Sequence, residues 1–482
     1  MNRGKSRIIT TEYTELHRGR KKCQPKNSVL LRVLCGLFFF SSFSIYSQQN
    51  AEESRREIIQ YGTETEIAGL IQTLKVENVD YLDNDLINLL KNSKNQRILT
   101  GVFGFFGDRA KGGLEERAIK AITQREDETN ETVLSALDYL GKVKSKEAVP
   151  VIMEILDTEE RRFLSTGFRA IGQASSGDKK LADETAEFLI EFYNDREPGN
   201  DNRSVIISAI GETGSAAGVS FLADLVSNTD ERTPLRIAAL GALSKIGDEK
   251  GLDAILTCIG TNDPNVRSSA VGALGPFKGD AVDNAILDAF RDSYYRTRIA
   301  ASQASRDRKL AKAVPYLKFR AERDEVPNVK DEAIRALGAI ANDEAFEVLL
   351  ALFSERKNSD RVRILAADML IKNSGGRDVN KLITELEDAK RRNQTNLYNG
   401  LLKVTGEAVV EGNKAEVQKL ASQFMRGGTV IEKLYGLDIA NNNKLDALSE
   451  DIIALTKDKN ESLARKARRI AGELGITLPD SE

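Results

Sequence analysis

Val266, Ala270, Ala273 and Leu274 stand at i, i+4, i+7 and i+8, the spacing of one face of a helix. Leu235, Ala239, Ala242 and Leu243 repeat that spacing. So do Val329, Ala333, Ala336 and Leu337, and Val362, Ala366, Met369 and Leu370. A basic residue follows the first apolar position in each copy. It falls at 236, 267, 298, 330 and 363, in steps of 31, 31, 32 and 33 residues. Looser copies precede these at 132–143, 164–174 and 203–213, and weaker ones follow 370. A second helical pattern lies between copies. "KEAVPVIMEIL" and "AKAVPYLKF" place Pro150 and Pro315 in its first turn, where a missing N–H costs little. Turn residues separate the two patterns, as in "TNDPN" at 261–265 and "DEVPN" at 324–328.

A period in this range is the signature of a solenoid. The motif D-P-x-V-R-x-x-A-x-x-A-L-G, read from Asp263 to Gly275, resembles the HEAT repeat, in the short form met in phycobilisome lyases with its A-V-P-x-L helix. The resemblance implies an all-α solenoid of stacked antiparallel helix pairs. It runs over about 126–375 and continues in degenerate form over 376–482, with a helical capping region at 48–125. It implies nothing about activity, because a fold of this kind hosts many roles. The small residues of the motif, Gly272 and Gly275 included, are expected to let neighbouring helices approach. No β-type run precedes them, so a phosphate-cradling loop is not expected.

The basic residue after each turn is expected to bridge to an acid or carbonyl of an adjacent repeat, which would make Arg236, Arg267, Arg298 and Arg363 a ladder. One interval is longer, 39 residues from Ile171 to Ile210, and the polar "NDREPGNDN" at 194–202 predicts a loop there.

The first 47 residues depart from the pattern. Five bases between Arg18 and Lys26 precede an apolar run from about Val29 to Ile45, and Ser47 follows. That order predicts a signal peptide, or a membrane anchor if it is retained. The expected location is the periplasm or cell envelope, with attachment to the inner membrane as the alternative. This segment holds nine of the 70 Lys/Arg and two of the 73 Asp/Glu, so the remainder has ten more acids than bases. A nucleic-acid partner is not expected of such a chain.

The one histidine, His17, lies in the same segment. Beyond it, histidine-activated nucleophiles and histidine metal sites are excluded. Neither a catalytic site, a cofactor nor a metal is expected. Cys258, alone past the leader, reads as a buried thiol.

One window breaks the repeat. Residues 291–323 carry ten bases against three acids, and Ala304-Ser305-Arg306 replaces A-L-G. Tyr316 and Phe319 are interleaved with the bases. The candidate partner-binding residues are Tyr294, Tyr295, Arg296, Arg298, Arg306, Arg308, Lys309 and Lys312. The leading expectation is an exported, non-catalytic scaffold for another protein. Two alternatives are a module that grips an anionic polymer or lipid surface, and a carboxylate-dependent enzyme.

Overall fold

The computed structural model describes residues 51–478 except 78, 197 and 413. The segment at 1–47, expected from the sequence to be a signal peptide or membrane anchor, lies outside them. Every regular element among the described residues is helical. The chain divides into two compact units, one ending at Phe105 and one beginning at Phe106.

The first unit holds α1 (51–61), α2 (Glu64–Glu77), α3 (Asp83–Asn92) and most of α4 (Gln96–Asp108). Ile67, Leu70, Ile71 and Leu74 form the buried stripe of α2. Arg55 ties α1 to the end of α2 through both carboxylate oxygens of Glu77 and through the Tyr81 hydroxyl.

The second unit is a stack of helix hairpins. It opens with α5 (Glu115–Thr123) and α6 (Asn130–Lys142), α7 (Val149–Asp157) and α8 (Arg161–Ser175), and α9 (Lys179–Asp195) and α10 (Asn200–Thr213). Next come α11 (Val219–Ser227) and α12 (Thr233–Ile246), α13 (Leu252–Ile259) and α14 (Pro264–Ala273), α15 (Asp280–Ala289) and α16 (Tyr295–Asp307), and α17 (Val314–Arg323) and α18 (Pro327–Ile340). It closes with α19 (Asp343–Ser354) and α20 (Asp360–Asn373), α21 (Val379–Arg391) and α22 (Thr395–Glu407), α23 (Ala415–Gly427) and α24 (Val430–Asn442), and α25 (Ser449–Leu455) and α26 (Glu461–Glu473). α5 packs on α6 as the first hairpin of the array.

Even-numbered helices lie side by side in one row and odd-numbered helices in the other. The even row closes through glycine. A Cβ added to Gly172 would lie 2.5 Å from the Ala209 carbonyl oxygen, and one on Gly211 would lie 2.7 Å from the Ala242 Cα. Backbones this close leave no room for a side chain.

Gly272 and Gly275 do not make that contact, which corrects the sequence expectation. Nothing lies within 4 Å of a Cβ built on Gly272, which faces solvent. Gly275 holds the seam register, but α14 has ended two residues earlier at Ala273. Pro276 accounts for the early end, because the residue before proline is pushed out of the helical region.

The expected loop at 194–202 is also corrected. α9 runs 17 residues to Asp195, and α10 begins at Asn200. The extra length is helix, because Leu189, Phe192 and Tyr193 continue a buried face. Phe168 and Phe221 meet that face edge-on at 5.0 and 5.1 Å. Cys258 is 2% exposed and donates to the Val226 carbonyl.

These contacts make opposite predictions for two glycines. Gly211→Val is expected to destabilise the chain by about 2–3 kcal/mol through overpacking at the seam. Gly272→Ala, on an open helical face, is expected to stabilise it by about 0.5–1 kcal/mol. Urea denaturation followed by circular dichroism reads both; equal effects would refute the placement of the seam.

Candidate functional site

The turns within hairpins line one rim of the second unit, and an arginine ladder joins them. Arg267, in the first turn of α14, reaches forward to the next hairpin. Its Nε and one terminal nitrogen donate to Asp292 at 2.8 and 3.0 Å. Its other terminal nitrogen donates to the carbonyls of Thr261 and Asn262 in its own turn. Arg298 repeats the arrangement one hairpin on. It donates to Asp324 at 2.7 and 2.9 Å and to the carbonyls of Asp292 and Ser293.

Each acid has two tasks. Asp292 accepts the Tyr294 N–H and Asp324 the Val326 N–H, so each closes its own turn while holding the preceding arginine. Burial disfavours the charge on both. The arginine hydrogen bonds and the turn N–H outweigh burial and hold both carboxyls below the ordinary aspartate range.

The other rungs vary. Arg236 donates to the Val226 carbonyl, and Arg363 to the Phe353 carbonyl and to Glu385. Lys330 reaches only the Glu322 carbonyl. Lys433 and Asp458 form an ion pair at 3.0 Å across the same sequence step.

The eight candidate residues do not form one patch. Tyr294, Tyr295, Arg296 and Arg298 sit at the start of α16, on the ladder rim. Tyr294 donates to Asn265, and Arg296 lies over the Tyr295 ring. Arg298 is a ladder rung. Arg308, Lys309 and Lys312 lie past the far end of α16, at the opposite rim, about 20 Å away at 1.5 Å per residue.

There Arg308 donates to Asp283 and to the Phe277 carbonyl, and Lys312 pairs with Asp280. A cavity of about 680 Å³ is lined by Gly279, Asp283, Arg308, Lys309 and Lys312. Arg306 occupies the seam position that Gly172, Gly211 and Gly338 hold on α8, α10 and α18, and its guanidinium pairs with Glu332 on α18. The excess of bases counted along 291–323 is offset in space by Asp280, Asp283, Asp288, Asp324 and Glu332, all of them outside that window.

A different cluster from the window is exposed on the odd row. Arg291, Pro315, Tyr316, Phe319 and Arg320 line a groove of about 450 Å³. Buried Phe290 stacks on Tyr316 at 5.7 Å and fixes its ring. Phe319 is 48% exposed. Tyr316, Phe319, Arg320 and Arg323 stand at i, i+3, i+4 and i+7, which was the available sequence signal for a shared helix face.

Stacked helix hairpins with guanidinium-bridged turns define the class: a HEAT-repeat α-solenoid. The chain belongs to the spirochaete HEAT repeat protein family, which matches residues 59–470. No curated protein matches it in sequence. Among solved structures it is similar to Kap121p, with 12% identity, 87% of this chain and 53% of that chain covered, and a TM-score of 0.44. It is also similar to the CpcE–CpcF complex of phycocyanin lyase from Nostoc sp. PCC7120, with 17% identity, coverage of 61% and 94%, and a TM-score of 0.30. The chain spans about half the length of Kap121p.

The ladder predicts where stability resides. Arg298→Ala leaves Asp324, which is buried, without its main partner, at an expected cost of about 3 kcal/mol. Arg296→Ala, at an exposed position, is expected to cost less than about 0.5 kcal/mol. Matched urea titrations compare them, and equal costs would refute the ladder.

The pH dependence follows from the sign of the shift. A carboxyl with a folded pKa below its unfolded value adds stability that is complete above the unfolded pKa of about 3.9. That contribution disappears as pH falls through the folded value. Thermal midpoints are therefore expected to hold from pH 7 to about 5 and fall below about 4. Asp324→Asn should start lower and fall less; an acid limb unchanged in that variant would refute the assignment.

Proposed function

We propose that this chain is a non-catalytic scaffold that binds another protein along its helix array. The carrying observation is the outward face of the even row. Arg169, Ser208, Gly241, Gly272, Gln303 and Arg335 are each exposed, one per helix on six successive even-numbered helices from α8 to α18. At 8–10 Å between neighbouring helices, they span roughly 40–50 Å. A surface of this length and mixed chemistry suits a macromolecular partner better than a small substrate. The leader fits export to the periplasm or cell envelope in this reading, and retention of the leader would add an inner-membrane anchor.

The reading as a module for an anionic polymer or lipid surface is weaker. Such a patch needs unpaired cations, and Arg298, Arg306, Arg308 and Lys312 are bound to acids of the fold. The buried carboxylates Asp324, Glu385 and Glu432 are likewise engaged by Arg298, Arg363 and Lys390. Among the described residues, no group of three or more acids or cysteines is placed to hold a metal. No described helix is long and apolar enough to cross a membrane.

Photo-crosslinking in cells tests the proposal. A crosslinker placed in turn at 169, 208, 303 and 335 is expected to give discrete protein adducts of one mass that persist at about 0.5 M salt. Absence of adducts at all four positions would overturn the scaffold reading. Adducts that vanish with rising salt would favour an anionic surface instead.

A further inference from the structure

We infer that the groove between Tyr316 and Phe319 receives a short acidic peptide segment of a partner protein, with one large apolar side chain on the ring floor and carboxylates against the arginine edge. The inference rests on the scaffold reading but concerns the opposite row of helices.

Three observations support it. The floor is preformed. Val314, Leu317 and Ala321 anchor the inward face of α17, and stacking on Phe290 holds the Tyr316 ring. Phe319 is the one large apolar side chain described as exposed from α5 through α22. Exposed aromatic surface in a concave site flanked by arginine is the composition of a binding hot spot.

The edge is cationic, and its charge is available. Arg291 lies 5.3 Å from the Tyr316 ring centre, and its ion pair with Asp288 is open to solvent on both sides. Arg320 and Arg323 lie 5.1 and 5.6 Å from the Phe319 ring centre. Arg320 shares Asp324, whose two oxygens already receive Arg298. Among the described residues, neither Arg323 nor Lys318 has a carboxylate within ion-pair distance. Arg267 and Arg298 stand in contrast, each bound through all three of its guanidinium nitrogens. The groove therefore favours negative charge around an apolar centre.

Aromatic rings beside arginine also suit the bases of single-stranded nucleic acid. The excess of acids in the chain past its leader argues for the peptide.

Fluorescence anisotropy on the full chain decides it. The probe is a fluorescein-labelled Asp-Glu-Phe-Asp-Glu peptide. The comparisons are the same peptide with Ala for Phe, one with Lys for every acid, and a labelled eight-nucleotide oligothymidylate. The acidic phenylalanine peptide is expected to bind. Loss of the phenyl group should weaken binding about tenfold or more, and charge reversal of the peptide should abolish it. In the protein, Phe319→Ala and Arg323→Glu should each weaken binding about tenfold, with helical content unchanged because both side chains are exposed. Lys180→Glu, on the outer face of α9, should leave it unchanged.

No binding of the probe, equal loss in the Lys180 variant, or tighter binding of the oligonucleotide would each overturn the inference. If the peptide fails while crosslinks from the even row persist, this inference falls and the scaffold reading stands. If both fail, both fall.

Discussion

The structure of the array depends on how one helix hairpin is fixed to the next. In a solenoid each repeat touches only its neighbours, so no distant contact can correct an error in rise or rotation. The guanidinium of Arg267 or Arg298 performs this fixing at the turns. It has enough donors to bind two carbonyls of its own turn and both oxygens of the following aspartate at once. A planar fork suits that task and an ammonium does not. Lys330 shows the difference, because at the equivalent position it reaches a single carbonyl. The aspartate is bound just as tightly to its local turn. The ladder therefore couples turn geometry to repeat spacing, which is a physical reason for the near-constant step between basic residues.

A second constraint, the glycine seam of the even row, is independent of the ladder and is not continuous, with Ser244, Arg306 and Ile371 standing in its register on α12, α16 and α20. α14 stops before Pro276, so Gly275 makes no close approach. In the next helix a seam glycine is replaced by Arg306. The neighbourhood is braced by charge instead: Arg308 holds the Phe277 carbonyl and Asp283, and Arg306 reaches Glu332. The two departures in the sequence are parts of one local exchange, with backbone packing given up and side-chain ion pairs put in its place. The exchange leaves the Ser305 hydroxyl, in the register of Leu274, buried without a hydrogen-bond partner.

This explains what was legible in the sequence and what was not. Period, hairpin and ladder position are properties of residues close together along the chain, and spacing displays them. The bridge from Arg267 and Arg298 to the turns was legible because the basic residue recurred just after one, whereas Arg236 reaches the Val226 carbonyl of its own hairpin and Arg363 reaches Glu385 within α21. Charge was misread because the neutralising acids lie about 25 residues away. Asp283 answers Arg308, and Glu332 answers Arg306, yet both fall outside the window in which the bases were counted. The α9 extension was misread for a related reason. Its polar end resembles a loop, while the residues that make it a helix bury their side chains against aromatics of neighbouring helices. The face shared by Tyr316, Phe319, Arg320 and Arg323 is visible as spacing, but spacing does not say whether a face points inward. That requires Val314 and Leu317 to be seen buried on the other side.

A chain that satisfies most of its charges internally has a consequence for recognition. Paired guanidiniums cannot contribute to a partner without first breaking bonds that hold the repeats together, and buried pairs are costly to break. The charges free for recognition are those outside the ladder, and near the groove these are Arg323 and Lys318 on α17 and Arg291, whose pair with Asp288 is open to solvent. A few such cations give weak attraction in physiological salt, where exposed charges are screened within about 8 Å. Affinity at such a site must come mainly from apolar burial, with charge selecting the partner and its orientation. The exposed Phe319 beside these cations supplies the apolar part, so cations left out of the internal pairing stand next to the apolar surface that a partner requires.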